Sequence, residues 1–332
     1  MSLTAPLREE DVVAAIRAIV ERTDASKVLL GIGDDAAVWQ PSRSNRSVIT
    51  TDMLVEDVHF TRATIPVRDI GWRAMAANCS DVAAMGARPV LATVGLALPP
   101  SWHLEEIEEL YRGMAACADA SRLVIAGGDL SRAPVATISI TVIGEVRPSN
   151  LKTRSGGRPG DVIAVTGKLG ASRAGLDLLG GRASLDDALA KEALAAHRTP
   201  VPRMREGQWF GASSNVHAMM DCSDGLSTDL ARLCDASRCG AIVEEVPVAE
   251  SARAMAVQCG EDSARYALAG GEDYELLVTI APRAFNHLWR RYHARFGRPL
   301  YRVGVLQADE SVVMRNDGGV EALQRSGWDH FA

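Results

Sequence analysis

Apolar residues recur along this chain with two periods that alternate from one segment to the next. Val12, Val13, Ile16, Ile19 and Val20 fall on one face of a 3.6-residue repeat and predict an opening amphipathic helix. KVLLGIGDDAAVW and SVITTDMLVEDVHF then read as strands parted by the polar turn QPSRSNR. A helix is predicted over 68–85, stopped by Gly86 and Pro89, with a buried strand in PVLATVGLAL after it. WHLEEIEELYRGMAACADAS predicts a helix with an acidic first turn, and RLVIAGGDL and APVATISITVIGEV complete a first α/β layer structure. Near residue 148 the texture changes, because RPSNLKTRSGGRPGD is rich in Pro, Gly, Ser and basic residues, as linkers are. Beyond it DVIAVTGKLGASRAGL reads as strand, glycine turn and helix, and 180–215 is mostly helical and polar. NVHAMMDCSDGLSTDLARLCDAS repeats the plan of strand, acidic loop and helix, and AGGEDYELLVTI is a glycine turn feeding a strand. The pattern predicts an α/β protein of two domains, 1–148 and 149–332.

Composition narrows the partners. A chain of 332 residues exceeds one ordinary core, in agreement with two domains. Hydrophobic residues make up 47% and charged residues 23%, the balance of a globular protein. The net charge of −6, without a basic stripe, argues against a nucleic-acid partner. The six cysteines, Cys79, Cys117, Cys222, Cys234, Cys239 and Cys259, form no C-x-x-C pair and no zinc spacing, which suits reduced thiols in the cytoplasm. The start has no basic region followed by an apolar core, and the longest apolar run, 90–98, is far short of the roughly 20 residues of a membrane span. A cytoplasmic protein with no membrane partner is expected.

Candidate chemistry lies in a repeated feature, an Asp at the end of an apolar strand beside small residues. It occurs as Asp34 and Asp35 in GIGDD, Asp52 in ITTD, Asp129 in IAGGD, and Asp221 and Asp224 in AMMDCSD. Asp81 lies on a predicted helix with Asn78 three residues earlier on the same face. Singly, such an Asp is usually a turn former or helix cap; Asp224, for instance, suits the start of the helix GLSTDLARL, and Asp229 within that helix reads as a solvated face residue. Gathered in one cleft, the carboxylates would repel unless cations sat between them. Oxygen ligands with hydroxyl help from Thr50, Thr51 and Ser223 suit Mg²⁺, and with it a phosphate-handling site. The common phosphate loops are absent: Gly167-Lys168 is followed by Leu169, and GIGDDA lacks the helix that a dinucleotide loop would open.

GIGDDAAV, TTDMLVEDVHF, SDVAAMGARP, GGDLSRAP, SGGRPGDVIAVTGKLG, DCSDGLSTDL and GGEDYELL, with GWDHF at the end, occur in the order found in thiamine-monophosphate kinases. The chain resembles that family nearly end to end, and with it the aminoimidazole ribonucleotide synthetase-like ATP-binding superfamily. The resemblance implies a two-domain fold with an N-terminal mixed sheet carrying helices on one face and a C-terminal α/β domain that completes the active site. It implies homodimerisation through the N-terminal sheets, and ATP-dependent phosphorylation of thiamine monophosphate with several Mg²⁺ ions and K⁺. By motif, Asp34, Thr50, Thr51, Asp52, Asp81, Asp129, Asp221 and Asp224 resemble the metal ligands. Tyr111, Gly128, Asp129, Arg154 and Ser223 resemble the ATP contacts, and His59, Glu272 and Trp328 the substrate contacts. Asp35 is left with a supporting role.

The acceptor phosphate, already ionised near neutrality, needs charge neutralisation rather than a general base, so no catalytic base is expected and transfer would be direct and in line. Plainer roles stand beside these: Lys152 and Arg154 as linker charges, His59 as an edge residue, Tyr111 as a mid-helix core aromatic, Trp328 as a tail anchor. Leu130 and Ser131 depart from the two threonines of the family pattern, and Asp57 stands where glycine is usual. The alternatives are another synthetase of the superfamily, a metal-dependent phosphohydrolase and a non-catalytic Mg-ATP-binding regulator.

Overall fold

The computed structural model describes residues 8–21, 27–32, 36–316 and 319–328. They divide into two compact units: one takes the residues up to Val82 together with Arg88–Arg147, the other Ala83–Ala87 with the residues from Pro148 onward.

In the first unit, α1 (Glu9–Val20) buries Val12, Ile16 and Val20, one stripe of its predicted apolar face. Two short strands, β1 (Val28–Leu30) and β2 (Val38–Trp39), pair antiparallel. There follow β3 (Arg46–Val55), α2 (Val67–Ala84), β4 (Arg88–Leu98), α3 (Leu104–Ser121), β5 (Val124–Arg132) and β6 (Thr137–Val146). The sheet order is β3-β6-β4-β5; β6 runs antiparallel to both its neighbours, and β4 and β5 are parallel, so the sheet is mixed. Ile138, Ile140 and Val142 of β6 point into the core, as period-2 alternation requires. The helices α2 and α3 touch backbone to backbone. A Cβ on Gly71 would lie 1.9 Å from the Leu110 carbonyl oxygen, and one on Gly113 would lie 1.8 Å from that of Arg68, so only glycine permits this approach. The α2-facing side of β3 carries Thr50 and Asp52; the opposite side leaves Ile49 and Met53, 69% and 56% exposed, uncovered among the described residues.

The second unit contains β7 (Val162–Val165), α4 (Ala171–Leu179), α5 (Asp187–Arg198), α6 (Met204–Gly211), β8 (Val216–Asp221), α7 (Leu226–Ser237), β9 (Gly240–Val243), α8 (Glu250–Gln258), α9 (Ser263–Ala269), β10 (Leu276–Ile280), α10 (Pro282–Phe296), β11 (Tyr301–Gln307), β12 (Val312–Asn316) and β13 (Gly319–Ala322). Its sheet runs β13-β12-β9-β11-β7-β10-β8, antiparallel except where β12 meets β9. Every residue of β7 and β10 is buried, which explains their unbroken apolar runs. Glu275, just before β10, is 5% exposed and takes both arms of Arg203 and the Thr166 hydroxyl. This bidentate pair satisfies the buried carboxylate and ties the start of α6 to the start of β10. No helix among the described residues is long and apolar enough to cross a membrane.

The strand-end reading fails for two aspartates. Asp52 and Asp129 lie inside β3 and β5, because pairing with β6 and β4 continues to Val55 and Arg132. The strand predicted through His59 stops at Val55; His59 occupies the turn after it, its Nδ1 accepting the Val55 N–H at 3.0 Å.

Candidate active site

In the first unit the alternation of β3 divides the residues expected to act together. Thr50 faces α2 and its hydroxyl donates to Asp81 Oδ2 at 2.5 Å. Asp52, two residues on, shares that side, and cross-strand register sets it in one row with Ile140, Val94 and Gly128. A Cβ at Gly128 would fall 1.9 Å from the Val94 carbonyl oxygen, so no side chain fits there. Asn78, one turn before Asp81, is buried; its Nδ2 donates to the Ala74 carbonyl at 3.1 Å, and its Oδ1 has no hydrogen-bond partner among the described residues.

Thr51 and Asp129 belong to the opposite side. Thr51 spends its hydroxyl within the sheet, donating to the Ile140 carbonyl at 3.1 Å and accepting from Thr141 at 3.0 Å. Asp129 is exposed in a row with Gly95, Ser139 and Met53. Thr50, Asp52 and Asp81 are therefore brought together, and Thr51 and Asp129 are not placed with them. Tyr111 is 3% exposed within α3, and burial pushes its phenol well up; its position is that of a core aromatic. Asp34 and Asp35 lie outside the described residues.

The second unit gathers its candidates more tightly. The strand β8 ends on Asp221, 2% exposed, and the chain turns through Cys222, Ser223, Asp224 and Gly225 into α7. Gly225 has φ +106°, a conformation that side chains rarely adopt. The neighbouring loop 270–274 lies against this turn: the Glu272 N–H donates to the Ser223 carbonyl at 2.7 Å, and the Tyr274 N–H to that of Cys222 at 2.9 Å. The tail reaches the same turn, where the Trp328 N–H donates to the Asp224 carbonyl at 3.0 Å. Ser223, Asp224, Glu272 and Trp328 thus form one knot, with Trp328 52% exposed. Glu272 has φ +62° and its Oε2 lies 3.8 Å from Nδ1 of the buried His197, which is itself 3.2 Å from Ser172 Oγ. Arg154 is exposed, its carbonyl held by the Ser237 hydroxyl at 2.6 Å.

Asp229 overturns its sequence reading. It is 0% exposed rather than solvated, and its carboxylate accepts the N–H groups of Ser223 and Asp224. Burial first, then the charge of Asp224, pushes its carboxyl up to about 7 against the pull of Arg232 and the two N–H bonds. Arg232 bridges Asp229 and the Asp224 carboxylate. A signal existed in the sequence: Asp229 lies three residues after Leu226 and four before Leu233, on the buried stripe of α7.

Among the described residues no three His, Cys, Asp or Glu side chains form a ready metal centre. The donors are nevertheless carboxylate and hydroxyl oxygens, and the unpartnered Asn78 Oδ1 is a further buried acceptor, a set that fits a hard cation such as Mg²⁺.

The two units and the acidic turns define a class. Residues 33–146 match the family described as AIR synthase related protein, N-terminal domain, and residues 158–315 match AIR synthase related protein, C-terminal domain. Within that class the chain belongs to the thiamine-monophosphate kinase family. It is 40% identical over 259 residues to a thiamine-monophosphate kinase of Synechococcus elongatus, covering 75% of this chain and 77% of the relative. It is 32% identical to that of Bacillus subtilis, over 95% and 98% of the two chains. The solved thiamine-monophosphate kinase of Stenotrophomonas maltophilia superposes with a TM-score of 0.82 at 34% identity, covering 94% and 98%. A structure described as AaThiL complexed with AMPPCP and TMP superposes with a TM-score of 0.77 at 30% identity, covering 99% and 100%.

Proposed function

We propose that this enzyme transfers the terminal phosphoryl group of ATP to the phosphate of thiamine monophosphate, giving thiamine diphosphate and ADP. The observation that carries this reading is the end-to-end likeness to a family member complexed with an ATP analogue and TMP. Within the first unit, Asp81 with Thr50 and Asp52 are residues that would hold Mg²⁺; within the second, Asp221 and Asp224 are. When bound, the metal supplies the charge neutralisation that lets two phosphate groups meet. Ser223 and Arg154 serve the nucleotide, the guanidinium fork of Arg154 matching phosphate oxygens. Glu272 and Trp328 serve the thiamine moiety: a carboxylate and an exposed indole face both suit a cationic heterocycle. His59 donates from Nε2 when neutral, because its Nδ1 is already an acceptor.

None of these groups has to remove a proton from the acceptor phosphate, which is largely ionised at neutral pH. The uncovered sheet side bearing Ile49 and Met53 supports a homodimer through the N-terminal sheets. Six unpaired cysteines support a reducing, cytoplasmic setting. Phosphorus NMR of the purified protein with Mg-ATP and thiamine monophosphate tests the reading. New diphosphate with stoichiometric ADP is expected, and ADP with free phosphate alone, or no turnover, overturns it.

A further inference from the structure

The turn carrying Ser223 and Asp224 uses all four of its main-chain polar groups. The two carbonyls receive Glu272 and Trp328 N–H groups, as described above. Both N–H groups go to one atom, Asp229 Oδ2, at 3.0 Å from Ser223 N and 3.1 Å from Asp224 N. Its other oxygen accepts from Arg232 Nη1 at 3.2 Å, and the same guanidinium pairs with Asp224. Among the described residues, Asp229 is the only side chain that holds these four groups; the other two partners are main-chain N–H groups. A single oxygen taking two consecutive amides sets the orientation of both peptide planes, and with them the directions of the Ser223 hydroxyl and the Asp224 carboxylate. A helix start needs no such arrangement, since one capping acceptor suffices and a surface residue can supply it. Full burial of this carboxylate is instead the arrangement expected where geometry must be held to a fraction of an ångström.

We propose that Asp229 is a positioning residue for nucleotide binding, holding Ser223 and Asp224 in the orientation that receives Mg-ATP. The inference rests on the assignment of those two residues under Proposed function. Replacement by Asn keeps the shape and an oxygen acceptor for both amides, whereas Ala leaves the amides without one. Calorimetric titration with Mg²⁺ and a non-hydrolysable ATP analogue, at a temperature where the variants are folded, reads the effect without the acceptor substrate. Asp229→Ala is expected to weaken analogue binding by ~10-fold or more, the scale of a misplaced contact, with Asp229→Asn close to wild type. In turnover, KM for ATP should rise in Asp229→Ala while Asn restores it. Should the Ala variant fail to fold, Asp229→Ser takes its place, its hydroxyl falling short of both amides.

Wild-type affinity in the Ala or Ser variant, or an Asn variant as weak as Ala, overturns the positioning role alone. A wild-type protein that binds no Mg-nucleotide overturns the assignment beneath it as well.

Discussion

Glu145 anchors the paired strands β1 and β2, and its charge should govern the acid stability of that region. It lies on β6, 2% exposed, and its Oε1 accepts the Ser42 N–H at 2.8 Å. Its Oε2 accepts the Ser42 hydroxyl at 2.8 Å, Asn45 Nδ2 at 3.3 Å and Arg88 Nη2 at 3.0 Å, and pairs with Lys27. Lys27 directly precedes β1 and Ser42 follows β2, so one carboxylate holds the chain at the outer end of both strands. Burial alone would raise its pKa; the hydrogen bonds from Lys27, Ser42 and Asn45 outweigh burial and bring it from 4.5 down to about 2.

A folded pKa below the unfolded one means stability that is present above pH 4.5 and lost as pH falls through about 2. At 1.36 kcal/mol per unit, the shift corresponds to about 3 kcal/mol at neutral pH. In Glu145→Gln this pH-dependent part should vanish. Amide exchange of peptides spanning 28–48 and 137–146, measured from pH 6 down to pH 2, isolates this region from the second unit. Wild-type protection should fall by about 3 kcal/mol more than that of the variant, which starts lower at neutral pH. Parallel curves for the two proteins would refute the reasoning.

Three further outcomes are expected. Asp221→Asn should lower kcat by at least ~10²-fold in the phosphoryl-transfer assay, the scale of losing one preorganised charge contact, and an unchanged rate would remove it from the metal set. Met53→Lys, on the uncovered side of β3, should convert a dimer to monomers in sedimentation velocity; a dimer that persists places the interface elsewhere. Asp57→Gly should raise the thermal stability of the first unit by up to about 1 kcal/mol, because Asp57 has φ +65° and glycine enters that region without strain.

The sequence by itself determined the local elements that rest on short-range periodicity. The stripe Val12, Ile16 and Val20 made α1 legible, and the buried runs of β4 and β7 followed from composition. The turn DCSDG between β8 and α7 was legible as a candidate site because a strand, small residues and paired carboxylates are contiguous there. The tertiary structure decided which of those carboxylates share a place. Adjacent residues of a strand point to opposite sides, so Thr50 meets Asp81 while Thr51 turns back into the sheet, and no motif prints that division. Strand length decided that Asp129 lies within β5, since pairing with β4 rather than any local signal carries the strand to Arg132.

Burial decided the role of Asp229, a residue whose type predicts solvent and whose position on α7 places it in the core. The Ser223–Asp224 turn, Glu272 and Trp328 are separated by tens of residues and joined by main-chain hydrogen bonds. Main-chain groups carry no residue identity, which is why the sequence could propose these residues one by one and only the fold could assemble them.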